Sequence, residues 1–327
     1  MLGLDTNDDN RRKNSPELFL RCTVSSIFGI FTQLALLSIP HFAGVFSLFF
    51  QLILSGFVLM IVTIFGQFVR RFLGVRASAP SFVFFHMIFI WSVYVIVIRH
   101  AVSPLIDILF NGMLACLLIG FYRMLVSDPG FVRCDLPMSV KAPASEDGAH
   151  PEELTMSETS RCFPNSIEEA SLSARRVHYC RSCKAHILGF DHHCPAFGNC
   201  IGEKNHALFM GLLVGFMVTE ALYALSAYQW TEKNKIHKAN SSAIVQSLAI
   251  STMIFSLIQV LWQVAFFIWH VYCVCFNIRT EEWINWRRYP EFHVIAHPSQ
   301  SSSEKRFRNP YHKGIFINLK DFFRRYR

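Results

Sequence analysis

Between positions 178 and 209 the chain gathers four cysteines and five histidines, and their order could do two kinds of chemistry. At the centre, Asp191, His192, His193 and Cys194 place a carboxylate, two imidazoles and a thiol in consecutive positions. A cysteine is nucleophilic as its thiolate, and an imidazole held in one tautomer by a carboxylate can take the thiol proton. The flanking residues offer metal ligands. Cys180 and Cys183 form a C-x-x-C knuckle, and His193 with Cys200 completes a Cys₃His set of the tetrahedral kind that structural zinc uses. That set is full without Cys194, so Cys194 is either a spare ligand or the nucleophile.

The elements that must carry this segment belong to a membrane. The chain has 327 residues, 52% of them hydrophobic and 32 of them Phe, with only 17% charged. Soluble domains carry a smaller apolar share and spread their charges. Apolar runs near the roughly 20 residues that cross a bilayer occupy Cys22–Ile39, Val45–Val69, Phe82–Ile98 and Leu105–Val126, and after the Cys/His segment Ala207–Tyr228 and Ile244–Val274. The expected fold is an all-α polytopic membrane protein of about six transmembrane helices with a cytosolic zinc-binding cysteine-rich loop domain. Four spans plus a re-entrant pair is the competing arrangement. The corresponding division is an N-terminal segment 1–21, helices within 22–126, a linker 127–174, the cysteine-rich domain 175–206, helices within 207–276 and a tail 277–327.

Basic residues set the expected orientation. Arg11, Arg12, Lys13 and Arg21 precede the first span and Arg70, Arg71 and Arg76 follow the second, whereas the turns at Pro40–Gly44 and Arg99–Ser103 are nearly uncharged. Lys/Arg-rich loops face the cytosol, which puts both termini and the Cys/His segment there; Lys233, Lys235 and Lys238 form one contrary loop. In that compartment disulfides are disfavoured, so metal binding or catalysis is the better reading of Cys162, Cys180, Cys183, Cys194 and Cys200. The first eighteen positions lack the apolar core of a cleavable signal, and Leu2 excludes N-myristoylation. Asn240-Ser241-Ser242 is a glycosylation sequon beside the start of the last span, read as an unmodified surface Asn. The net charge of +8 suits contact with anionic lipid, and no nucleic-acid-reading module accompanies it. Residues 134–173, rich in Ser, Glu, Pro and Ala, read as a mobile linker.

The Asp191-His192-His193-Cys194 segment resembles the Asp-His-His-Cys cysteine-rich domain of the protein S-acyltransferases (palmitoyltransferases). Three further stretches extend the resemblance. Asp128-Pro129-Gly130 follows the fourth span where that family has Asp-Pro-Gly. Asn277-Ile278-Arg279-Thr280-Glu281-Glu282 follows the sixth and resembles its Asn-x-Thr-Thr-x-Glu, with Arg279 in place of the first Thr. Asn309-Pro310-Tyr311-His312-Lys313-Gly314, then Asn318, resembles its C-terminal motif, in which an Asn and an aromatic anchor the tail. The resemblance implies Cys194 as the acyl-accepting nucleophile, His192 as base, Asp191 as the group orienting it, and zinc on Cys180, Cys183, His193 and Cys200.

The sequence also departs from that family. A second zinc site would need an upstream C-x-x-C near 165–170, and none exists; Tyr179 and His186 stand where the family has a His and a Cys. Cys162, His178 and His186 are the candidates for an irregular second site, against the alternative that His178 and His186 are polar residues of a small loop domain. After Cys194 the family has Pro-Trp-Val-Asn-Asn, and here Pro195-Ala196-Phe197-Gly198-Asn199 stands, leaving Phe197 to supply the aromatic surface for the acyl chain.

What the resemblance implies is transfer of a long-chain acyl group, palmitoyl foremost, from acyl-CoA through an acyl-Cys194 intermediate to cysteines of membrane-associated proteins. The acyl chain would lie among the third to sixth spans, where a side chain at the depth of Thr219 limits chain length in related enzymes. An endomembrane setting, Golgi or endoplasmic reticulum, or the plasma membrane goes with it. An inactive membrane-anchored zinc scaffold is the alternative; the retained Asp191, His192 and Cys194 weigh against it. A transporter would use Glu220, Gln259 and Gln263 as a polar pathway, and interhelical hydrogen bonds are the plainer reading of those residues.

Overall fold

Runs of Leu, Ile, Val and Phe form helices in the absence of water because only there is every backbone polar group paired within its own segment. The computed structural model describes residues 6–74, 78–132, 176–236, 242–295 and 305–324. Among them six helices are long and apolar enough to cross a membrane: α1 (Thr6–Ala43), α2 (Leu48–Leu73), α3 (Ala79–Val93, continued to Ala101), α4 (Pro104–Val126), α5 (His206–Ile236) and α6 (Ala243–Cys275). All six expected spans are therefore present, in a multi-pass arrangement. Several boundaries differ, and α5 runs past the expected Tyr228 to Ile236. α1 starts inside the segment read as an N-terminal extension, and it runs through the expected turn at Pro40–Gly44 as far as Ala43. Pro40 falls in the last turn of α1, where the break it imposes is only a few residues from the helix end. The mobile-linker reading, Cys162 and the Asn240 sequon lie outside the described residues.

The chain divides into two compact units. The first contains the described residues up to Tyr122, Pro195–Gly198 and Gly211–Phe267. Lipid tails are as apolar as Leu, so helices there associate by close packing and interhelical hydrogen bonds. At Gly29 of α1 a Cβ would sit 2.3 Å from the Phe85 ring of α3, so only glycine allows that approach. Tyr94 and Phe110 stack with centroids 4.0 Å apart, and Tyr223 Oη donates to Thr252 Oγ1 at 2.7 Å between α5 and α6. Gln263 Nε2 donates to Glu220 Oε2 at 3.3 Å, an interhelical bond as expected for that pair. Phe197 packs on Phe121 with centroids 5.6 Å apart, and Thr219 is buried with no hydrogen-bond partner for Oγ1 among the described residues. Outward side chains such as Phe42, Phe49, Ile64 and Phe72 are exposed, as lipid-facing residues are.

The second unit contains Arg123–Cys194, Asn199–Met210 and Ile268–Arg327. Its strands are short: β1 (Phe131–Val132), β2 (Val177–Cys180), β3 (Ala185–Leu188), β4 (His192–Cys194), β5 (Asn199–Ile201), β6 (His293–Ile295) and β7 (Lys305–Phe307). They form a three-stranded antiparallel sheet β1-β3-β2 and two hairpins, β4-β5 and β6-β7. A short helix α7 (Thr280–Ile284) follows α6, and α8 (Ile315–Arg324) ends the described chain.

Strands this short need outside anchors, and polar side chains supply them. Asp128 Oδ1 accepts from the N–H groups of Gly130 and Phe131 while Oδ2 pairs with Lys204 at 2.7 Å, fixing the turn into β1. Asn199 Nδ2 donates to the Met124 and Ser127 carbonyls at the end of α4. Asn205 Nδ2 donates to the Cys200 carbonyl and Ser127 Oγ. At Gly202 a Cβ would lie 2.3 Å from the Pro129 carbonyl oxygen, so the Asp-Pro-Gly turn and the β5 exit close on each other only through glycine. Asn309 Nδ2 and Asn318 Nδ2 donate to the Phe276 and Cys275 carbonyls left open at the α6 C-terminus, which a helix cannot satisfy from within.

Arg176 is the hub of this unit. It is buried, pairs with Glu282 at 2.8 Å, donates to Asn277 Oδ1 and its carbonyl, and lies 3.8 Å over the Tyr311 ring. Asn277, at φ 48°, returns a bond to the Tyr311 carbonyl. One buried guanidinium thus ties the start of β2 to both C-terminal motifs. Removing one partner of such a pair costs about 3–5 kcal/mol, because the other charge stays buried.

Candidate active site and metal centre

A β-strand turns alternate side chains to opposite faces, and this divides the residues of β4. His192 and Cys194 point one way and His193 the other. Across the hairpin His193 stands opposite Cys200, so two candidate ligands share a face by register alone. Cys180 and Cys183 arrive from the β2-β3 turn, where the Cys183 N–H donates to Cys180 Sγ. The four ligand atoms converge. His193 Nδ1 is 3.8, 3.5 and 3.5 Å from the Cys180, Cys183 and Cys200 sulfurs, and Cys183 Sγ is 3.4 Å from Cys200 Sγ. A tetrahedron with arms of about 2.3 Å has edges of roughly 3.8 Å, so the set fits a zinc ion. Burial, and then the Cys180 and Cys183 sulfurs, push the Cys200 thiol up. A divalent cation among the four reverses that balance and takes the sulfurs as thiolates. Burial lowers His193, with the charge of His192 adding to it, which leaves a neutral imidazole suited to ligation.

Just before β4, Asp191 is fully buried and held through every polar atom. Its N–H donates to the Ile201 carbonyl and its carbonyl accepts from the Glu281 N–H. Oδ1 accepts from the Thr280 N–H at 2.9 Å, and Oδ2 receives the His192 Nδ1–H at 2.8 Å. Burial alone would raise the Asp191 pKa; the His192 bond and the nearby imidazoles outweigh it and hold the carboxyl well below the usual range. Burial works to lower His192, but the Asp191 bond and the Cys194 thiol push it up to about 9. This environment stabilises an imidazolium. It therefore stabilises the product of proton transfer from Cys194, while Asp191 keeps the proton on Nδ1 and frees Nε2 to receive another.

Of the residues proposed for a second metal site, the two described ones do not converge. His178 pairs with Ile187 and Tyr179 with His186 in the β2-β3 register, so His178 and His186 stand on opposite faces of the sheet. His178 packs at a tilt on Tyr289 with ring centroids 4.8 Å apart and is lowered by burial, while His186 lies against Tyr179 at 5.1 Å. They behave as packed polar residues, and Cys162 is outside the described residues.

Two histidines at the site were not singled out from sequence. His206, first residue of α5, and His270 in α6 are buried, and with Asp191 they bring three candidate ligand atoms within 4.8 Å of one another. His270 Nδ1 is 3.9 Å from Asp191 Oδ2 and its ring packs on Phe209. A lone ionisable residue inside an apolar span was the available signal for His270. Arg279, noted only as a departure from a motif, contacts His206 Nδ1 through Nη1.

Comparison with known proteins agrees with the motif resemblance. Residues 168–287 match the family model described as DHHC palmitoyltransferase. The chain is 31% identical over 158 residues to palmitoyltransferase ZDHHC17 of Mus musculus, covering 45% of this chain and 24% of that protein. It is 29% identical over 224 residues to the Danio rerio palmitoyltransferase of the same name, covering 63% and 32%. With the probable protein S-acyltransferase 2 of Arabidopsis thaliana it shares 29% over 152 residues, 45% and 32%. The chain thus spans between 24% and 32% of the length of these relatives.

Elemental analysis of the purified protein should find close to one zinc per chain. Cys183→Ala should lose it, and His186→Ala should retain it; a stoichiometry of two that falls to one on changing His186 would restore the second site.

Proposed function

We propose, from a chain whose residues 168–287 carry a DHHC palmitoyltransferase domain, that this protein is a protein S-acyltransferase working through an acyl-Cys194 intermediate. The observation that carries the reading is the shared face of β4, with Asp191 bonded to His192 and Cys194 beside that imidazole.

The steps follow from those atoms. The Cys194 thiol passes its proton to His192 Nε2, and the thiolate attacks the thioester carbonyl of a long-chain acyl-CoA. The tetrahedral adduct expels the CoA thiolate, which takes the proton from His192. In the second half a substrate cysteine gives its proton to the same nitrogen and attacks the Cys194 thioester. Cys194 leaves as thiolate and recovers that proton. Asp191 fixes the tautomer throughout. Zinc, held by Cys180, Cys183, His193 and Cys200, would supply a structural crosslink, its first shell being full.

The acyl donor and acceptor fit the surroundings. A chain of about sixteen carbons, each methylene preferring an apolar phase by about 0.8 kcal/mol, is best handled by a membrane enzyme, palmitoyl being the commonest such chain in view of the relatives' names. Acceptors would be membrane-associated proteins with cytosolic cysteines. The basic loops support a cytosolic active site in an endomembrane or the plasma membrane; protease protection of a tagged tail in sealed vesicles would contradict this orientation. Thr219, small and buried on α5, is the proposed floor for the acyl chain, with Phe197 as an aromatic wall.

Incubation with labelled palmitoyl-CoA should give a hydroxylamine-sensitive label on the wild type and none on Cys194→Ser, with zinc retained in both. Equal labelling of Cys194→Ser would remove the mechanism, and no labelling of a folded, zinc-loaded wild type would favour the scaffold reading. Thr219→Phe should shift preference to shorter acyl-CoAs, because added bulk clashes with the terminal carbons; an unchanged profile takes Thr219 out of the cavity.

A further inference from the structure

Arg279 stands where the resembled motif has Thr, and it is buried with its guanidinium on His206. A guanidinium has donors and no acceptor. The His206 Nδ1 that receives Nη1 must therefore carry the lone pair, which leaves the neutral ring its proton on Nε2. That Nε2 is buried and meets no other hydrogen-bond partner among the described residues. A ring nitrogen of His206 lies within 4.8 Å of the Asp191 carboxylate and of a His270 nitrogen. The carboxylate itself is fully buried, with one oxygen on the Thr280 N–H and the other on His192 Nδ1–H.

We propose that Arg279 and His206 form a positioning couple, in which the Arg279 guanidinium sets the His206 tautomer so that a second imidazole N–H faces the Asp191 carboxylate that orients His192. The couple rests on the acyltransferase reading for its consequence, and on the hydrogen-bond inventory for its existence. Its physical role is to hold the Asp191 carboxylate in one orientation beside His192. The Arg176–Glu282 pair is already self-compensating and cannot take that part. Backbone of the same segment adds to the arrangement: the Arg279 N–H donates to Glu282 Oε2 and the next N–H, of Thr280, to Asp191, so guanidinium and carboxylate are anchored by consecutive residues.

The test compares Arg279→Thr with the wild type in two readouts: the rate of acyl-Cys194 formation from palmitoyl-CoA, and the rate at which iodoacetamide alkylates Cys194, resolved by mass spectrometry. Arg279→Thr should slow both by about ten-fold, the equivalent of losing one charge-assisted hydrogen bond, through kcat and with KM for palmitoyl-CoA little changed. In a His206→Gln background the amide N–H no longer needs Arg279 to define it, so Arg279→Thr should then cost less than about two-fold. Arg279→Lys, which keeps a cationic donor, should stay within about three-fold of wild type and serves as the deciding variant should Arg279→Thr lose its zinc. Unchanged rates in a folded Arg279→Thr protein would overturn the proposal, as would an equal penalty with and without His206, or a ten-fold loss in zinc-loaded Arg279→Lys. A wild type that takes no acyl label but shows the expected alkylation pattern would reject the acyltransferase reading and leave the couple standing.

Discussion

Side chains on a strand change face at every residue, and three residues of β4 use that period to keep two chemistries apart. His193 is aimed with Cys200 at the Cys180–Cys183 knuckle. His192 and Cys194, on either side of it, share the other face, where His192 meets Asp191. A metal on the first face would immobilise the strand that carries the second. The hairpin spans only residues 192–201, so a crosslink on one face constrains the other. The rest of the second unit serves that hairpin: Asn199 and Asn205 fasten it to the end of α4, and Gly202 lets the Asp-Pro-Gly turn close against it.

Buried charge is the second organising factor. Arg176, Glu282, Arg279 and Asp191 are four ionisable side chains with almost no exposure, and each has a hydrogen-bonded partner. Such pairs contribute little net stability relative to apolar replacements, but they tolerate few alternative arrangements. The C-terminal motifs matter through this network. Asn309 meets the Phe276 carbonyl just past α6, while Asn277 and Tyr311 complete the cage around Arg176.

The membrane spans were legible in the sequence because a bilayer demands length and apolarity, both of which composition records directly. The zinc set was legible for a similar reason: Cys180, Cys183, His193 and Cys200 are specified by residue type and short spacing. His206 and His270 were not, because their partner Asp191 is 15 and 79 positions away and only the packing of α5 and α6 brings them to it. The opposite faces of His178 and His186 were hidden for a different reason. Spacing counts residues along the chain, whereas the β2-β3 register decides which face each takes, and that register could not be fixed without the turn at Cys180–Lys184. Pro40 misled in the same local way, since a proline near a helix end and a proline beyond it look alike in sequence.

The division of β4 into a metal face and a nucleophile face is most directly read by zinc K-edge X-ray absorption on the purified protein. The account predicts three sulfurs at about 2.3 Å and one nitrogen at about 2.0 Å, unchanged in Cys194→Ser. A first shell of four sulfurs, or one that loses a sulfur when Cys194 is replaced, would make Cys194 a ligand and contradict it.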